Sequence, residues 1–526
     1  MTESDSEPQT AENAQVEEAP VDDAQVNDWA QTGPSPLIGT APTSNRQSRR
    51  AEKIARRAVN RIIADNSPIT QPIPIVERLR NTPYSHPVQR AAPDDSDARI
   101  TLDFALRLGE TMLRAGASNL DVETSIIAAC AACGLEDLDV ELTYQSIIVH
   151  YTTADGRPLT VLGVNRGESI NYGRLAAVHR LVLDLVAGKL DQVGAAARLD
   201  AIIAQPKPFN RWLVTVVWAV LAGTLTVLIG GGWIGAAVGT IITFVMSLVG
   251  RQLQKTGIPY FFVALATAAV TTTVAMALAR LGVPLGPQFV VSAGIMLLLP
   301  TITFVSTVQD AISGFPITAA GRLVNVFVVL AAIVAGVGVG LAIGQAIGLK
   351  EIDVLIGRGS PALARSLLAI ILSFVVSVLG AVGNQSLRRL VVPSGLIGMI
   401  GYIVWISLGL LDWGNVLVAA IAAAVVAGLA RIVTDRRDAP ALVVIVPGLF
   451  PLLPGLKIFT GIYQLTQPNA HVSMTTGMTT LVAALLWAAA LGIGSVLGTF
   501  VANPGMLKSL RRRKPPVNRS GTLSDE

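Results

Sequence analysis

The chain has 526 residues, of which 51% are hydrophobic and only 14% are charged, and its formal net charge is +4. A water-soluble protein of this length carries more charge, so the composition predicts a membrane protein and gives no sign of nucleic-acid binding. The two cysteines, Cys130 and Cys133, do not provide a disulfide framework.

Residues 1–97 are predicted to be a disordered tail. Residues 1–45 contain acidic side chains but no lysine or arginine, and they offer little apolar surface to bury. This acidic start has no apolar segment and does not resemble a signal peptide. Residues 46–65 reverse the sign of the charge, which indicates a basic helix that either binds anionic lipid or is simply solvated.

Residues 98–205 are predicted to form a small soluble α+β domain. Helical spacing at both ends encloses two β-branched runs, 140–153 and 158–167, which are separated by the turn sequence Ala-Asp-Gly-Arg. Cys130 and Cys133 have the spacing of a metal or redox pair, but they lie within a helix without a second pair, which favours packing. His150 and His179 are likewise interpreted as structural.

The rest of the chain is predicted to contain ten membrane-spanning helices. The expected segments are 212–230, 233–249, 259–281, 288–306, 324–348, 362–382, 390–411, 413–434, 440–458 and 474–501.

Several sequence landmarks recur at one offset in these segments. Gly-x-x-x-Leu-Leu-Pro ends at Pro300 and again at Pro454, 154 residues later. The Gly-x-x-x-Gly pair beginning at Gly340 returns at Gly494 with the same offset, and Leu-Ala-Arg at 278–280 returns at 429–431, three residues out of register. The chain therefore divides into two units of five helices, 206–349 and 350–505, followed by a basic tail, 506–526.

Because five is odd, the second unit enters the membrane from the opposite side, which makes the repeat inverted. Arginine and lysine are concentrated in the loops expected to be cytoplasmic if both termini and the soluble domain lie inside the cell. These charges include Arg251, Arg322, Arg388, Arg431 and the tail. Both termini and the soluble domain are therefore predicted to be cytoplasmic, and the inner (plasma) membrane as the location is what the family resemblance described below implies.

Two prolines in matching helices suggest a binding site. A proline within a membrane helix frees backbone groups, which are tolerated only against protein, water or a polar ligand. Two such breaks in an inverted repeat are typical of a midplane substrate site, and half-helix ends suit a zwitterion. The predicted helix-break residues are Pro300, Pro447, Pro451 and Pro454. The predicted substrate-binding residues are Thr301, Thr303, Ser306, Gln309, Asp310, Lys457, Tyr463 and Gln464.

Asp310 is the first choice for a titrating or ammonium-binding group, since an intramembrane carboxylate is costly unless it has a role. The alternative interpretation is a kink that serves packing, with Asp310 in a cytoplasmic loop.

The motifs LGETMLRAGASNLDVETSI, GLEDLDVELTYQSIIV and LAAVHRLVLDLVAGKL resemble the amino-terminal domain of the threonine/serine exporter family. The paired proline motifs and ten segments are similar to that family's two five-helix halves, so the resemblance covers about residues 100–501. It implies a bacterial inner-membrane exporter of small hydroxy amino acids that is driven by the proton motive force.

The residues alone predict a secondary transporter for a small polar solute. Alternating access would occur around the two broken helices. The resemblance adds threonine, serine and protons as the transported species. No cofactor, metal or nucleic acid is expected, no Walker motif indicates ATP, and oligomerisation stays open. Two alternatives remain: a membrane-anchored enzyme that uses the soluble domain, and a passive channel.

Overall fold

The structure is a computed structural model of the chain. It describes residues 79, 82–85, 87–88, 95–135, 138–153, 155–165, 167, 169–348, 363–411, 413–466 and 473–503. The predicted tail 506–526 and most of the predicted tail 1–97, including its basic segment 46–65, lie outside the described residues. The division into the five predicted domains stays a prediction.

The first part of the described chain, residues 95–204, is called here the α/β region. Its helices are α1 (Asp95–Arg114), α2 (Asn119–Ala132), α3 (Tyr172–Val186) and α4 (Gln192–Ala204). Between α2 and α3 lie strands β1 (Leu138–Leu142), β2 (Ser146–Thr152) and β3 (Pro158–Val164). They form an antiparallel sheet in the order β1-β2-β3, with Val149 opposite both Val140 and Val161.

Local sequence signals account for these elements. The side chains of Ser118, Asn171 and Asp191 accept backbone hydrogen bonds at the starts of α2, α3 and α4, which satisfies amides that have no intrahelical partner. The predicted turn between β2 and β3 contains Gly156 at φ 77°, a conformation that glycine adopts without a steric penalty. Strand β1 alternates buried and exposed residues, so its apolar side chains join the core formed with α1 and α2.

The second part of the chain is helical. The predicted first unit, in which α8 and α9 are the halves of one broken span, contains α5 (Arg211–Leu228), α6 (Trp233–Lys255), α7 (Tyr260–Arg280), α8 (Pro287–Leu298), α9 (Thr301–Ile312) and α10 (Pro316–Ala346). The second contains α11 (Leu363–Gly383), α12 (Arg388–Gly409), α13 (Asn415–Asp435), α14 (Leu442–Leu449), a 3-10 turn (Phe450–Leu452), α15 (Gly455–Thr466) and α16 (Met474–Val501).

Eight of the described helices are long and apolar enough to cross a membrane, and counting each bent pair as one span gives ten. The bends are 51° between α8 and α9 and 52° between α14 and α15. They occur at Pro300 and Pro454, where the sequence predicted breaks. Both broken spans run further than predicted, to Ile312 and Thr466, because polar residues in their second halves interrupt the apolar runs.

The two units pack alike. In the first, α5 packs on α6 and α7 packs on α10; in the second, α11 packs on α12 and α13 packs on α16. Helix α8 contacts α5, α6 and α7, while α14 contacts α11, α12 and α13. The later half-helices, α9 and α15, each contact both α10 and α16. The broken spans therefore lie where the two units meet.

The α/β region rests on the ends of several membrane helices. The amides of Tyr172 and Gly173 donate to the carbonyls of Asn384 and Gln385, just after α11, at 3.2 and 2.8 Å. Gln385 Oε1 accepts from the amide of Phe209, just before α5, at 2.9 Å. Thr318 at the start of α10 donates to the carbonyl of Leu142 at 3.0 Å. These contacts place the start of α5, the end of α11 and the start of α10 at one face of the helical bundle.

Candidate functional site

The two helix breaks meet in space. Pro300 and Pro454 line a single cavity of about 40 Å³, called here the proline cavity. Each break inserts extended backbone between two half-helices, with ψ 130° at Leu299 and ψ 137° at Leu453. The side chains that complete the wall are apolar and come from α9, α10, α14, α15 and α16.

In this conformation the proline cavity is too small for an amino acid. A single water needs about 10–15 Å³ of such space, so the cavity holds a few waters at most. None of the predicted substrate-binding residues is among the residues that line it. The predicted polar residues instead form two groups, one on α9 and one on α15.

The α9 group points towards the α/β region. Ser306 and Asp310 are buried, and Gln309 Nε2 donates to Ser118 Oγ at 3.3 Å. The backbone carbonyl of Thr303 accepts from Thr307 Oγ1 at 2.6 Å within α9. The side chain of Thr301 lies outside the described residues.

Asp310 joins α9 to the amino-terminal end of α2. Its carboxylate is fully buried, with Oδ2 3.4 Å from Arg322 Nε, and Oδ1 accepts from the amide of Asn119 at 3.3 Å. The Asn119 side chain completes the cluster, because its amide donates to Thr318 Oγ1 at 3.1 Å and its oxygen accepts from Arg322 Nη2 at 3.3 Å. Asp310 is therefore neither in a loop nor at the proline cavity: it connects the broken span to the α/β region.

A larger cavity of about 510 Å³, the interface cavity, lies between the α/β region and α9, α13, α14 and α16. Val305 lines both the interface cavity and the proline cavity, so the two are neighbours along α9. Charged and polar side chains face the interface cavity from both parts of the protein. They include Tyr84, Asp121, His179, Gln309, Arg431, Asp435 and Ser495.

The interface cavity holds both signs of charge. Arg431 Nε lies 2.9 Å from Asp435 Oδ1 on α13, and Asp121 accepts from Ser118 Oγ at 2.8 Å at the start of α2. Burial raises the pKa of the Asp121 carboxyl, while Ser118 and Arg431 favour its charged form. Guanidinium and carboxylate groups facing one cavity can hold a small solute that carries both charges.

An uncharged pair is among the residues that line the interface cavity. Tyr84 Oη lies 2.5 Å from His179 Nδ1 and 3.2 Å from Ser125 Oγ. Burial lowers the pKa of His179 to about 4 and raises the pKa of Tyr84, so both groups are neutral near pH 7. Because this pair is neutral, the charged groups of the interface cavity are Asp121, Arg431 and Asp435.

The α15 group contacts α16. Lys457 Nζ lies 5.4 Å from the centre of the Trp487 ring, and Gln464 Oε1 accepts from Thr480 at 2.9 Å. Tyr463 is buried beside Phe459. Pro447 lies within α14 and Pro451 in the 3-10 turn, so they lengthen the second break without lining the proline cavity.

Sequence reasoning did not predict a site role for Tyr84, Asp121, Arg431, Asp435 or Ser495, which face the interface cavity. Asp121 lies inside a motif that carried the family resemblance, and Arg431 stood out only as a landmark of the repeat and as a charge expected at the cytoplasmic side. Cys130 and Cys133 are buried and not disulfide-bonded, and burial raises the pKa of the Cys130 thiol, which fits a packing role. The described residues contain no cluster of His, Cys, Asp and Glu that could hold a metal ion.

Comparisons with known proteins extend over both units. A family described as "Putative threonine/serine exporter" matches residues 103–344, and one described as "Threonine/Serine exporter, ThrE" matches residues 369–501. A probable threonine/serine exporter of Mycobacterium tuberculosis is 32% identical over 450 residues, which is 84% of each chain. The threonine/serine exporter of Corynebacterium glutamicum is 29% identical over 429 residues, 80% of this chain and 85% of that one.

A shorter relative matches part of the chain. The probable succinate transporter subunit YjjP of Escherichia coli is 26% identical over 229 residues, which is 43% of this chain and 87% of that protein. No solved structure matches the chain.

Proposed function

Because this chain belongs to the threonine/serine exporter family, we propose that it is a multi-pass membrane protein that exports threonine and serine. Its location would be the inner (plasma) membrane, with the α/β region in the cytoplasm, as the distribution of positive charge predicts. The observation that carries the proposal is that Val305 lines both cavities. The charged interface cavity therefore lies next to the proline cavity, where both broken helices meet.

We further propose that the helices form two inverted repeats. The matching packing of α5–α10 and α11–α16 supports two equivalent units, and the two family matches divide the chain between the same units. A Cβ at Gly340 would lie 2.7 Å from the carbonyl oxygen of Ala269, and a Cβ at Gly494 would clash with that of Ala420. Gly340 and Gly494 are 154 residues apart, and Ala269 and Ala420 are 151 residues apart. The sequence landmarks recur at the same two offsets.

The direction of the two units supports inversion. The α/β region donates from Gly173 to the carbonyl of Gln385 at the end of α11, and the Gln385 side chain accepts from the amide of Phe209 at the start of α5. Helices α5 and α11 are the first helices of their units. The amino-terminal end of α5 and the carboxyl-terminal end of α11 lie at the same face of the bundle. Two units that enter the membrane from opposite sides give this arrangement.

The proposed transport path begins in the interface cavity. Arg431 would bind the carboxylate of the amino acid, Asp121 or Asp435 its ammonium group, and Gln309 or Ser495 its hydroxyl group. The solute would then pass Val305 and enter the space between the broken helices, where freed backbone groups replace its water. Rocking of one unit against the other would open the α15 side, where Lys457, Tyr463 and Gln464 lie.

Asp310 is the proposed site of coupling to protons. Its carboxylate is buried against Arg322 and the α2 amide, so protonation would remove the charge that holds α9 to the α/β region. Releasing this contact frees the second half of the broken span to move. Proton antiport would follow if the contact opens only when Asp310 carries a proton.

The two alternatives fit the chain less well. A passive channel needs a continuous path, whereas the space between the breaks is apolar and about 40 Å³. An enzyme in the α/β region would depart from a family named for export. The succinate-transporter relative suggests a dicarboxylate as a second candidate substrate, because its similarity spans nearly half of this chain.

The test uses everted membrane vesicles from cells that express the full chain. Uptake of labelled threonine should require a proton gradient and stop when an uncoupler is added, and excess serine should compete with it. Competition by succinate at equal concentration, without competition by serine, would favour the dicarboxylate. Uptake that only equilibrates threonine and ignores the uncoupler would contradict antiport.

A cysteine at Val305 tests the path itself. Val305→Cys should transport until a small hydrophilic thiol reagent modifies it, and threonine should slow that modification. Val193→Cys is the matched control, because Val193 is 75% exposed on α4, outside the membrane helices, where the same reagent can modify it. Cys130 and Cys133 are buried and can be retained. Full transport after complete modification of position 305 would refute the path.

A further inference from the structure

A third cavity, of about 470 Å³, lies between α5, α6, α7 and α8 and shares no lining residue with the proline or interface cavities. It is called here the Arg251 cleft. Arg211, Gln254 and Tyr260 lie with Arg251 at one end, where α5 begins, α6 ends and α7 begins. Most side chains that line the rest are apolar, with hydroxyl groups from Thr215, Thr243, Ser247, Thr267 and Thr271 among them. The apolar side chains include Val263, Val291, Ile295, Leu298 and Val337.

Arg251 is a cation with unused hydrogen-bonding capacity. Its Nη1 donates to Thr215 Oγ1 at 2.7 Å and its Nε to the carbonyl of Ser247 at 3.1 Å. Nη2 is buried and has no hydrogen-bond partner, and none of the ion pairs among the described residues includes Arg251. The guanidinium lies 5.5 Å from the centre of the Trp212 ring, which holds it in place but does not neutralise it.

The guanidinium is partly buried and has no counter-ion in the described part of the chain, and its buried Nη2 lacks an acceptor, so the cleft favours an anion. A guanidinium presents its donors in a fork that matches a phosphate or a carboxylate. The long apolar wall next to it suits a hydrocarbon chain rather than a small solute. A ligand that satisfies both the guanidinium and the apolar wall has an anionic head group and a hydrocarbon tail.

Among the described residues, the corresponding helices of the second unit are closely packed. Helix α14, which corresponds to α8, is buried along its whole length. At the crossing of α12 and α14, a Cβ on Gly398 would lie 3.3 Å from the Cα of Gly448, so these helices are already in close contact. The cleft is thus not a general consequence of this helix packing.

We propose that the Arg251 cleft binds an anionic phospholipid, with the phosphate on Arg251 and one acyl chain along α8. Basic pockets between membrane helices at the cytoplasmic side are suited to anionic head groups. The polar end of the cleft lies at the membrane face that bears the α/β region, because Phe209, just before α5, contacts Gln385 there. The lipid would come from that leaflet and would pack α8 against α5, α6 and α7.

The test is native mass spectrometry of the purified full chain with phosphatidylglycerol or phosphatidylcholine of identical acyl chains. Wild-type protein should retain phosphatidylglycerol preferentially. Arg251→Gln should weaken this retention on the order of tenfold or more, about 1.4 kcal/mol, and Arg251→Lys should recover part of it. Arg280→Gln is the matched control, since Arg280 is an exposed arginine at the end of α7 that does not line the cleft.

If Arg251→Gln does not fold, the melting temperature of the wild-type protein with each lipid still tests the proposal. Phosphatidylglycerol should raise the melting temperature more than phosphatidylcholine does, because a ligand that binds only the native state stabilises it. Equal effects of the two lipids, or unchanged phosphatidylglycerol retention by Arg251→Gln, would overturn the proposal. So would an equal rise with inorganic phosphate or threonine, which would assign the cleft to a small anion or to substrate.

Discussion

The carboxylate of Asp310 makes its contacts across two parts of the protein. Arg322 lies on the next membrane helix, whereas the Asn119 amide is 191 residues away in sequence. Replacing Asp310 by Asn should remove the negative charge and leave the Arg322 guanidinium buried without a counter-ion. We therefore expect Asp310→Asn to lose about 3–5 kcal/mol of stability and to abolish uphill threonine uptake, measured by thermal unfolding and vesicle uptake.

The double variant Asp310→Asn/Arg322→Met separates stability from transport. Removing both charges should restore most of the stability, while uptake should stay lost if Asp310 carries the coupling proton. Asp184→Asn is the control, because Asp184 pairs with the mostly exposed Lys189 and should change stability by less than about 1 kcal/mol. Normal proton-driven uptake by either Asp310 variant would show that this carboxylate is not needed for coupling.

His179 gives the protein a pH dependence of stability. Burial lowers the pKa of His179 to about 4, below its ordinary value of 6.5. Between pH 6.5 and 4 the unfolded chain binds a proton at this residue and the folded chain does not, so stability falls as the pH is lowered. The loss over this window should be about 3 kcal/mol, and about half of it should be seen between pH 6.5 and pH 5.

The check is thermal unfolding of wild-type protein and His179→Asn at pH 7 and pH 5. Asparagine places a polar atom near the position of Nδ1, so it can still pair with Tyr84 Oη without titrating. The variant should show the smaller change between the two pH values. Asp121, whose raised pKa acts in the opposite direction, is present in both proteins and cancels in the difference. Identical pH dependence of the two proteins would exclude His179 as its source.

The residues of the candidate site differed in how well the sequence predicted them. Pro300 and Pro454 were found because a proline in an apolar run is a local signal, and the cavity that they share agrees with the prediction that they meet. The partner of Asp310 was not found, because Asn119 approaches it only after the α/β region has docked. Arg431 and Asp121 come together for the same reason. A local sequence signal can predict a break in a helix. It cannot predict which charged group, distant in sequence, comes close when the α/β region docks.

At the scale of elements, close helix contact depends on glycine at a few positions. A Cβ at Gly494 would clash with the carbonyl oxygen of Ala420, and one at Gly340 would lie 2.7 Å from that of Ala269. Backbone atoms have little freedom to move away, so Gly494→Ala and Gly340→Ala should each separate a helix pair and cost about 1–3 kcal/mol. The measurement is the melting temperature of purified protein in detergent.

Gly409 is the matched control for both variants. It ends α12, and a Cβ there would meet nothing within 4 Å. Gly409→Ala should leave the melting temperature nearly unchanged. If Gly494→Ala and Gly409→Ala behave alike, the α13–α16 contact does not need glycine.

The bounds of the elements show a second limit of sequence reasoning. Unbroken helices such as α7 and α16 were predicted within one or two residues, because their apolar runs end at polar residues or glycine. The predicted fourth and ninth segments stopped too early, since polar residues in α9 and α15 resemble a loop. Those polar residues face other protein groups, such as Ser118 and Thr480, rather than lipid. Burial against protein permits a polarity that a hydropathy pattern excludes.

At the scale of the whole molecule, the proposed inversion fixes the side of the membrane on which each helix ends. Helices α7 and α13 hold corresponding places in the two units, and each packs on the last helix of its unit. If the units are inverted, the carboxyl-terminal end of α7 faces the outside and that of α13 faces the cytoplasm. Leu281 follows α7 and Arg436 follows α13, and both residues are exposed, so each can carry a reporter.

Single substitutions Leu281→Cys and Arg436→Cys test this with a membrane-impermeant maleimide. In intact cells Leu281→Cys should react and Arg436→Cys should not, while both should react once the membrane is permeabilised. The native Cys130 and Cys133 are buried, and burial raises the pKa of the Cys130 thiol, so they contribute little background. Reaction of both positions, or of neither, in intact cells would place the two ends on one side. The units would then be parallel, and a rocking motion about two oppositely directed broken helices would lose its geometric basis.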